Sequence, residues 1–270
     1  MRPPGPSTPA TQRTPWGWAA TGFLLGLLVA LACFAPAHWL AAGLAQATGG
    51  RVLLQAARGS VWNGSAQLVV AGGAGSHDAA TLPSRLSWQL RPVAGGLRLR
   101  VSAPCCLAQP LALVLQPQWG GGAVQVEDTP PQAPSRWPAA LLAGLGTPWN
   151  TLQVEGELQL STQGLVLRWA HRRLHVDGQA ELVAQRMASR LSPLRPLGSY
   201  RLTLGGGTVP SLQLDTLEGD LRLSGSGQWV GARLRFTGEA SAAPEREAAL
   251  ANLLNLIGQR RGPRSLITIG

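Results

Sequence analysis

One uncharged apolar span near the N-terminus, followed by roughly 220 residues of short alternating segments, limits what this chain can fold into. From Trp16 to Leu40 there is no Arg, Lys, Asp or Glu, and Gly22 to Ala35 is its apolar centre. A helix needs about 20 such residues to cross a bilayer. Arg2 and Arg13 precede the tract without an acid, which by the positive-inside rule puts the N-terminus in the cytoplasm. The bulk of the chain is then expected on the far side, in the periplasm.

The tract is expected to be a retained anchor over residues 16–40. A signal peptide has a shorter apolar region, about 7–15 residues. Here Trp16, Trp18 and Trp39 bracket a longer one, as interfacial aromatics do. Ala30-Leu31-Ala32-Cys33 has the outline of a lipoprotein processing box, but Ala30 stands where such a box carries leucine. Cleavage and lipidation are the alternatives. Pro36 lies near the far end of the tract, where a membrane helix tolerates it. The leader, residues 1–15, is too Pro-rich to fold and is expected to be a disordered cytoplasmic tail.

All 23 basic residues are arginine, and the net charge is +10. The absence of lysine fits codon bias in a GC-rich genome. The arginines are scattered along the strands rather than gathered in a basic stripe, which speaks against nucleic acid as a partner. Anionic lipid head groups or acidic partners fit better. Gly at 34 and Pro at 21 suit many short strands joined by turns.

The alternation is explicit. Leu97, Leu99 and Val101 fall on one face of a strand and Arg98 and Arg100 on the other. Further strands are expected at Arg51–Val70 (two, around Gly59, with a turn or bulge at Asn63-Gly64), Leu86–Leu90, Leu111–Leu115 and Ala123–Val126. Thr129–Pro138 is a Pro-rich interruption, and Trp137–Leu145 a short helix. Thr151–Leu160 is expected to pair with Gly164–Trp169 across Ser161-Thr162-Gln163. Leu174–Val183, Tyr200–Leu204, Ser211–Leu214, Leu217–Gly225, Ala232–Thr237 and Ser265–Ile269 complete an antiparallel meander. Leu250, Leu253, Leu254 and Ile257 form one apolar stripe of a helix that Pro244 opens and Gly258 caps. The expected organisation is a first β-rich half at 41–128, a linker with a short helix at 129–148, and a second half at 149–270.

No reactive constellation emerges, and no catalytic, cofactor or metal residue is assigned. His171, His175 and Asp177 have the spacing of a weak metal site, but Arg172 and Arg173 beside them oppose a cation, so a surface cluster is expected. Gly120–Gly122 and Gly205–Gly207 do not open a helix as a phosphate loop must. Adjacent Cys105 and Cys106 are compatible with a vicinal disulfide, two free thiols or an intermolecular bridge.

Several phrases together resemble the type II secretion system protein N family. They are Gly59-Ser60-Val61-Trp62-Asn63-Gly64-Ser65-Ala66, Leu82-Pro83 and Leu86-Ser87-Trp88-Gln89-Leu90-Arg91-Pro92. Trp149-Asn150-Thr151-Leu152, Leu191–Tyr200 and Asn252–Gly258 follow in order. The resemblance implies a single-pass inner-membrane accessory protein with a periplasmic β domain, working through other subunits of the secretion platform. It also implies kinship with AsmA-type bridging proteins, whose sheets curl into an apolar trough; lipid or apolar-ligand handling is the alternative function. No enzyme activity, cofactor or small-molecule substrate is expected. Whether the leucine face lines an open trough or a sandwich core is left open by the pattern.

Overall fold

The computed structural model describes residues 16–73, 75–170, 173–231 and 233–270. The chain divides into two units, 1–35 and 36–270. In the first, the apolar tract forms α1, Trp16–Phe34, whose 19 residues carry no charged side chain. At 1.5 Å per residue this helix is about 28 Å long. Among the described residues no helix is long and apolar enough to cross a membrane. The helix stops short of the expected Leu40. Pro36, held at φ −72° and ψ 147°, has no N–H to continue the ladder, and it starts a second helix, α2, at Ala37–Ala47. The expected disordered tail, 1–15, lies outside the described residues.

The second unit is a sheet. Its elements are β1 (Val52–Gly59), β2 (Asn63–Ala71), β3 (Ala79–Val93), β4 (Gly96–Ser102), β5 (Leu111–Gln118), β6 (Gly121–Val126) and β7 (Ser135–Pro138). A 3-10 turn (Ala139–Leu145) and α3 (Trp149–Leu152) follow. Then come β8 (Val154–Ala170), β9 (Arg173–Ser189), β10 (Gly198–Gly207), β11 (Ser211–Gly219), β12 (Leu221–Val230) and β13 (Arg233–Ala242). The helix α4 (Glu247–Ile257), β14 (Gln259–Arg261) and β15 (Arg264–Ile269) end the chain. The described strands make one antiparallel 15-stranded sheet, running from β1 to β14 at its two edges. The Pro-rich interruption does not divide it, because β6 pairs directly with β8 and β7 lies beside β8.

Register aligns the apolar residues from edge to edge. Leu54 faces Leu68, Leu90 faces Leu99, Leu99 faces Leu113 and Leu115 faces Val124. The series continues through Val124–Leu167, Leu160–Leu182, Leu182–Leu202, Leu202–Leu214 and Leu223–Ala240. Side chains alternate with a period of two, so these residues share one face, and the paired Arg91 and Arg98 lie on the other.

β-bulges keep that face in phase, and three of them are marked by backbone with positive φ. In β8 the inward positions change from even (Leu158, Leu160, Thr162) to odd (Leu165, Leu167). A bulge between Gln163 and Val166 absorbs the slip, with Gly164 at φ +56°. The hairpin expected at Ser161-Thr162-Gln163 is therefore one continuous 17-residue strand. The change of phase that read as a turn is a bulge. Ala56 at φ +48° and Arg186 at φ +46° sit in the corresponding bulges of β1 and β9.

The main core lies where α4 covers the apolar face. Leu250, Leu253 and Leu254 are 0–2% exposed and pack with Tyr200, Leu221 and Ala240. The 3-10 turn, read from sequence as a helix beginning at Trp137, and α3 add Ala139 and Leu152. Gly258 caps α4, but in an extended conformation, φ −167°. Glycine is needed because a Cβ there would sit 2.2 Å from the Leu266 carbonyl oxygen. Arg260, in β14, turns back to Glu247 at 2.8 Å.

Tyr200 Oη donates to the Leu221 carbonyl at 3.0 Å in this core. Burial raises its pKa well above the ordinary 10.0. The folded state thus holds the proton more tightly than the unfolded state. The resulting stability is present in full below pH 10 and is lost as pH rises above it. Tyr200 is the single tyrosine of the chain, so phenolate absorbance reports it alone. The expected alkaline titration is delayed beyond that of free tyrosine and coincides with loss of the β-sheet circular dichroism signal. Ionisation near pH 10 with the sheet intact would contradict the buried placement.

Candidate functional site

The two most specific phrases of the sequence meet in space. Gly59 takes φ +88°. The Ser60 amide donates to the Asn63 carbonyl at 2.9 Å, and the Asn63 amide donates to Ser60 Oγ at 3.1 Å. This tight turn brings Gly64 opposite Trp88. A Cβ on Gly64 would lie 2.4 Å from the indole ring, so only glycine leaves room for it. Trp88 is 2% exposed, and its Nε1 donates to the Val61 carbonyl at 3.0 Å. Ala37 and Leu40 of α2 pack into the same cluster, and Pro36 bridges Ser60. The arrangement fastens the point where the chain enters its folded unit. Both phrases were visible in the sequence; their meeting was not, because only the β2–β3 register brings them together.

The sheet has two unlike ends. Connections 72–78, 103–110, 127–153, 190–197 and 243–258 all lie at one end and carry the helical elements and long loops. Connections 60–62, 94–95, 119–120 and 208–210 lie at the other and are tight turns. The β8–β9 and β12–β13 junctions lie there too. At the helical end the apolar face is sealed by α3, α4 and the 3-10 turn. Toward the turn end the same face is covered less. Leu97, Leu99, Leu113, Leu115, Leu204 and Leu212 are half-buried, and Trp169 and Ile269 are 45% and 52% exposed. The backbone groups beneath are spent in the ladder, so the face offers an apolar surface with few hydrogen-bonding groups.

Cys105 and Cys106 form a vicinal disulfide, which decides among the three readings of the pair. Cys106 is buried against Leu82 and Ala103, and its carbonyl accepts from the Arg136 amide at 2.8 Å. Cys33 is the free cysteine. Alkylation of the denatured, non-reduced protein is expected to modify one thiol and, after reduction, three. Three labels without reductant would refute the bond.

The remaining sequence candidates do not converge. His171 lies outside the described residues. His175 is exposed and faces Arg168 across β8–β9, and Asp177 is bonded to Arg168. Among the described residues no group of His, Cys, Asp and Glu is placed to hold a metal ion. Gly120 lies in the β5–β6 turn, Gly121 and Gly122 open β6, and Gly205–Gly207 ends β10. Glu155 is held by Arg190 at 3.3 Å and Arg195 at 2.8 Å. Hydrogen bonds from Arg190 and Arg195 keep its carboxyl below the usual range.

A family model described as type II secretion system (T2SS), protein N, matches residues 50–267. The match takes in the whole series from β1 into β15 and leaves out α1 and α2. No curated protein and no solved structure gives a significant match. With all but the last two residues of its sheet inside the match, the chain belongs to the type II secretion system protein N family.

Proposed function

We propose that this protein is a tethered accessory subunit of the type II secretion apparatus, acting through protein contacts in its assembly or stabilisation. In this reading α1 spans the inner membrane with its N-terminus in the cytoplasm, and the sheet stands in the periplasm beside other subunits of the platform. The observation that carries the reading is the family match from β1 into β15. The segment this reading takes as the tether is α1, whose 19 residues carry no charged side chain; the reading goes beyond the helix as described, which falls short of the length and hydropathy of a span.

Crosslinking in intact membranes tests it. The tagged full chain is expected to bring down inner-membrane platform subunits. Recovery of none, under conditions where those subunits bring down one another, would overturn the reading. A reporter fused after Gly270 is expected to be active in the periplasm; activity in the cytoplasm would reverse the topology.

A second reading, handling of lipid or another apolar ligand, is favoured by one observation: the half-buried leucines that run in register from strand to strand. Extraction and mass spectrometry of the purified full chain are expected to recover lipid at a stoichiometric level, reduced severalfold by Leu99→Asp with Leu113→Asp. Equal recovery from both proteins would end this reading.

A further inference from the structure

The turn end of the sheet carries a distribution of charge and apolar surface that neither the family nor the apolar face explains. None of the 13 acidic residues lies within four residues of the connections at 60–62, 94–95, 119–120, 171–172, 208–210 or 231–232. The same stretches of sequence hold Arg58, Arg91, Arg98, Arg168, Arg172, Arg173, Arg233 and Arg235. Arg58, Arg91, Arg233 and Arg235 are exposed and have no carboxylate partner among the described residues. The ends differ in their acids: at the helical end Arg195 pairs with Glu155 at 2.8 Å, Arg260 with Glu247 at 2.8 Å and Arg246 with Asp220 at 3.6 Å, while Arg51, Arg222 and Arg261 have no carboxylate partner among the described residues; of the turn-end arginines, Arg98 pairs with Glu127 and Arg168 with Asp177.

Apolar tips accompany the unpaired cations. Trp119, at the β5–β6 turn, is fully exposed, and Val209 and Val230 are 51% and 54% exposed at two other turns. Trp169 and Ile269 add 45% and 52% at the same end. Tryptophan beside arginine, without acid, is the composition of a surface that sits in a lipid head-group layer. The chain also enters the folded unit here, since Pro36 bridges Ser60 in the β1–β2 turn.

We propose that the turn end of the sheet is a docking rim for an anionic phospholipid surface, with Trp119 and Val230 entering the head-group layer and Arg58, Arg91, Arg233 and Arg235 meeting lipid phosphates. This goes beyond the tether and rests on it only in that α1 supplies the membrane nearby. A protein partner would have to match a rim whose turns carry no acid and are spread over many hairpin tips; a bilayer does so without any particular sequence. The helical end is left free for other subunits.

The test uses the full chain with Cys33→Ala, labelled with an environment-sensitive fluorophore at Trp119→Cys, Val230→Cys or, at the helical end, Glu245→Cys. Each is reconstituted into vesicles of phosphatidylcholine with or without phosphatidylglycerol. Acrylamide quenching of the two turn-end labels is expected to fall about threefold when phosphatidylglycerol is present and to recover in high salt. The Glu245→Cys label should not respond. Arg58→Gln, Arg233→Gln and Arg235→Gln together should restore quenching at the turn end. Equal quenching at both ends in anionic vesicles, or equal protection in neutral ones, would overturn the proposal. Extraction of the protein by alkaline wash would sink the tether instead; the rim would then still be read by salt-sensitive flotation with anionic vesicles.

Discussion

Trp88→Ala is expected to lower the unfolding free energy by about 3–5 kcal/mol, a large part of the ~5–15 kcal/mol that a domain possesses. The indole is 2% exposed and fills the space that Gly64 leaves open. Truncation removes apolar contact with Ala37, Ala66, Leu54 and Leu86 and leaves a cavity that the paired strands cannot close. It also removes the Nε1 donor from the Val61 carbonyl, at a further cost of about 1 kcal/mol if water does not replace it. Denaturation followed by circular dichroism checks the size of the effect. Trp88→Phe, which keeps part of the ring, should cost about half as much. Because α2 shares this cluster, hydrogen exchange should quicken in α2 and β1–β3 before it does so in β9–β13. A loss below about 1 kcal/mol, or uniform exchange, would show that the entry point is not held by this residue.

The alternation of Leu97, Leu99 and Val101 with Arg98 and Arg100 made β4 legible, because a half-buried strand writes its two faces directly into the sequence. The stripe of Leu250, Leu253 and Leu254 made α4 legible for the same reason at a different period. β14 was not legible: Gln259, Arg260 and Arg261 show no alternation, and they form a strand only because β15 folds back beside them. The single strand β8 was misread as a hairpin because a bulge and a turn both break the phase of alternation. What separates them is the partner, since β9 pairs along the whole of β8 and passes the bulge.

The same distinction governs the candidate sites. Cys105 and Cys106 were legible as a pair, and their bond was not, because sequence adjacency permits it without requiring it. The charge separation between the two ends of the sheet escaped the sequence for a topological reason. Arg58, Arg91, Arg168 and Arg233 are far apart along the chain, and scattered cations read as dispersed. In a meander every second connection returns to the same end, so residues placed just before or after alternate turns become neighbours along one edge.

Leu254→Asp is expected to have the largest effect of any single substitution in α4. Leu254 is fully buried, among Tyr200, Leu221, Ala240 and Leu250. An unpaired carboxylate there has no cation within the cluster, and its desolvation adds to the lost apolar contact. Leu254→Ala alone should cost about 3–5 kcal/mol, and the aspartate more, enough to free α4 from the sheet at neutral pH. Leu256→Ala, two positions along the same helix at a residue 42% exposed, should change stability by less than about 0.5 kcal/mol. Leu254→Ala against Leu256→Ala separates covering from helix formation, since both alanine changes leave the helix propensity of α4 as good or better. With α4 released, the apolar face loses its cover at the helical end, and an apolar dye should bind severalfold more than to the unaltered protein while the strand signal in circular dichroism persists. Loss of the strand signal together with the cover would mean that α4 is part of what closes the sheet's fold. Persistence of the sheet, with new dye binding, would mean that the strands hold one another by their ladder and that α4 is a lid at one end of the apolar face.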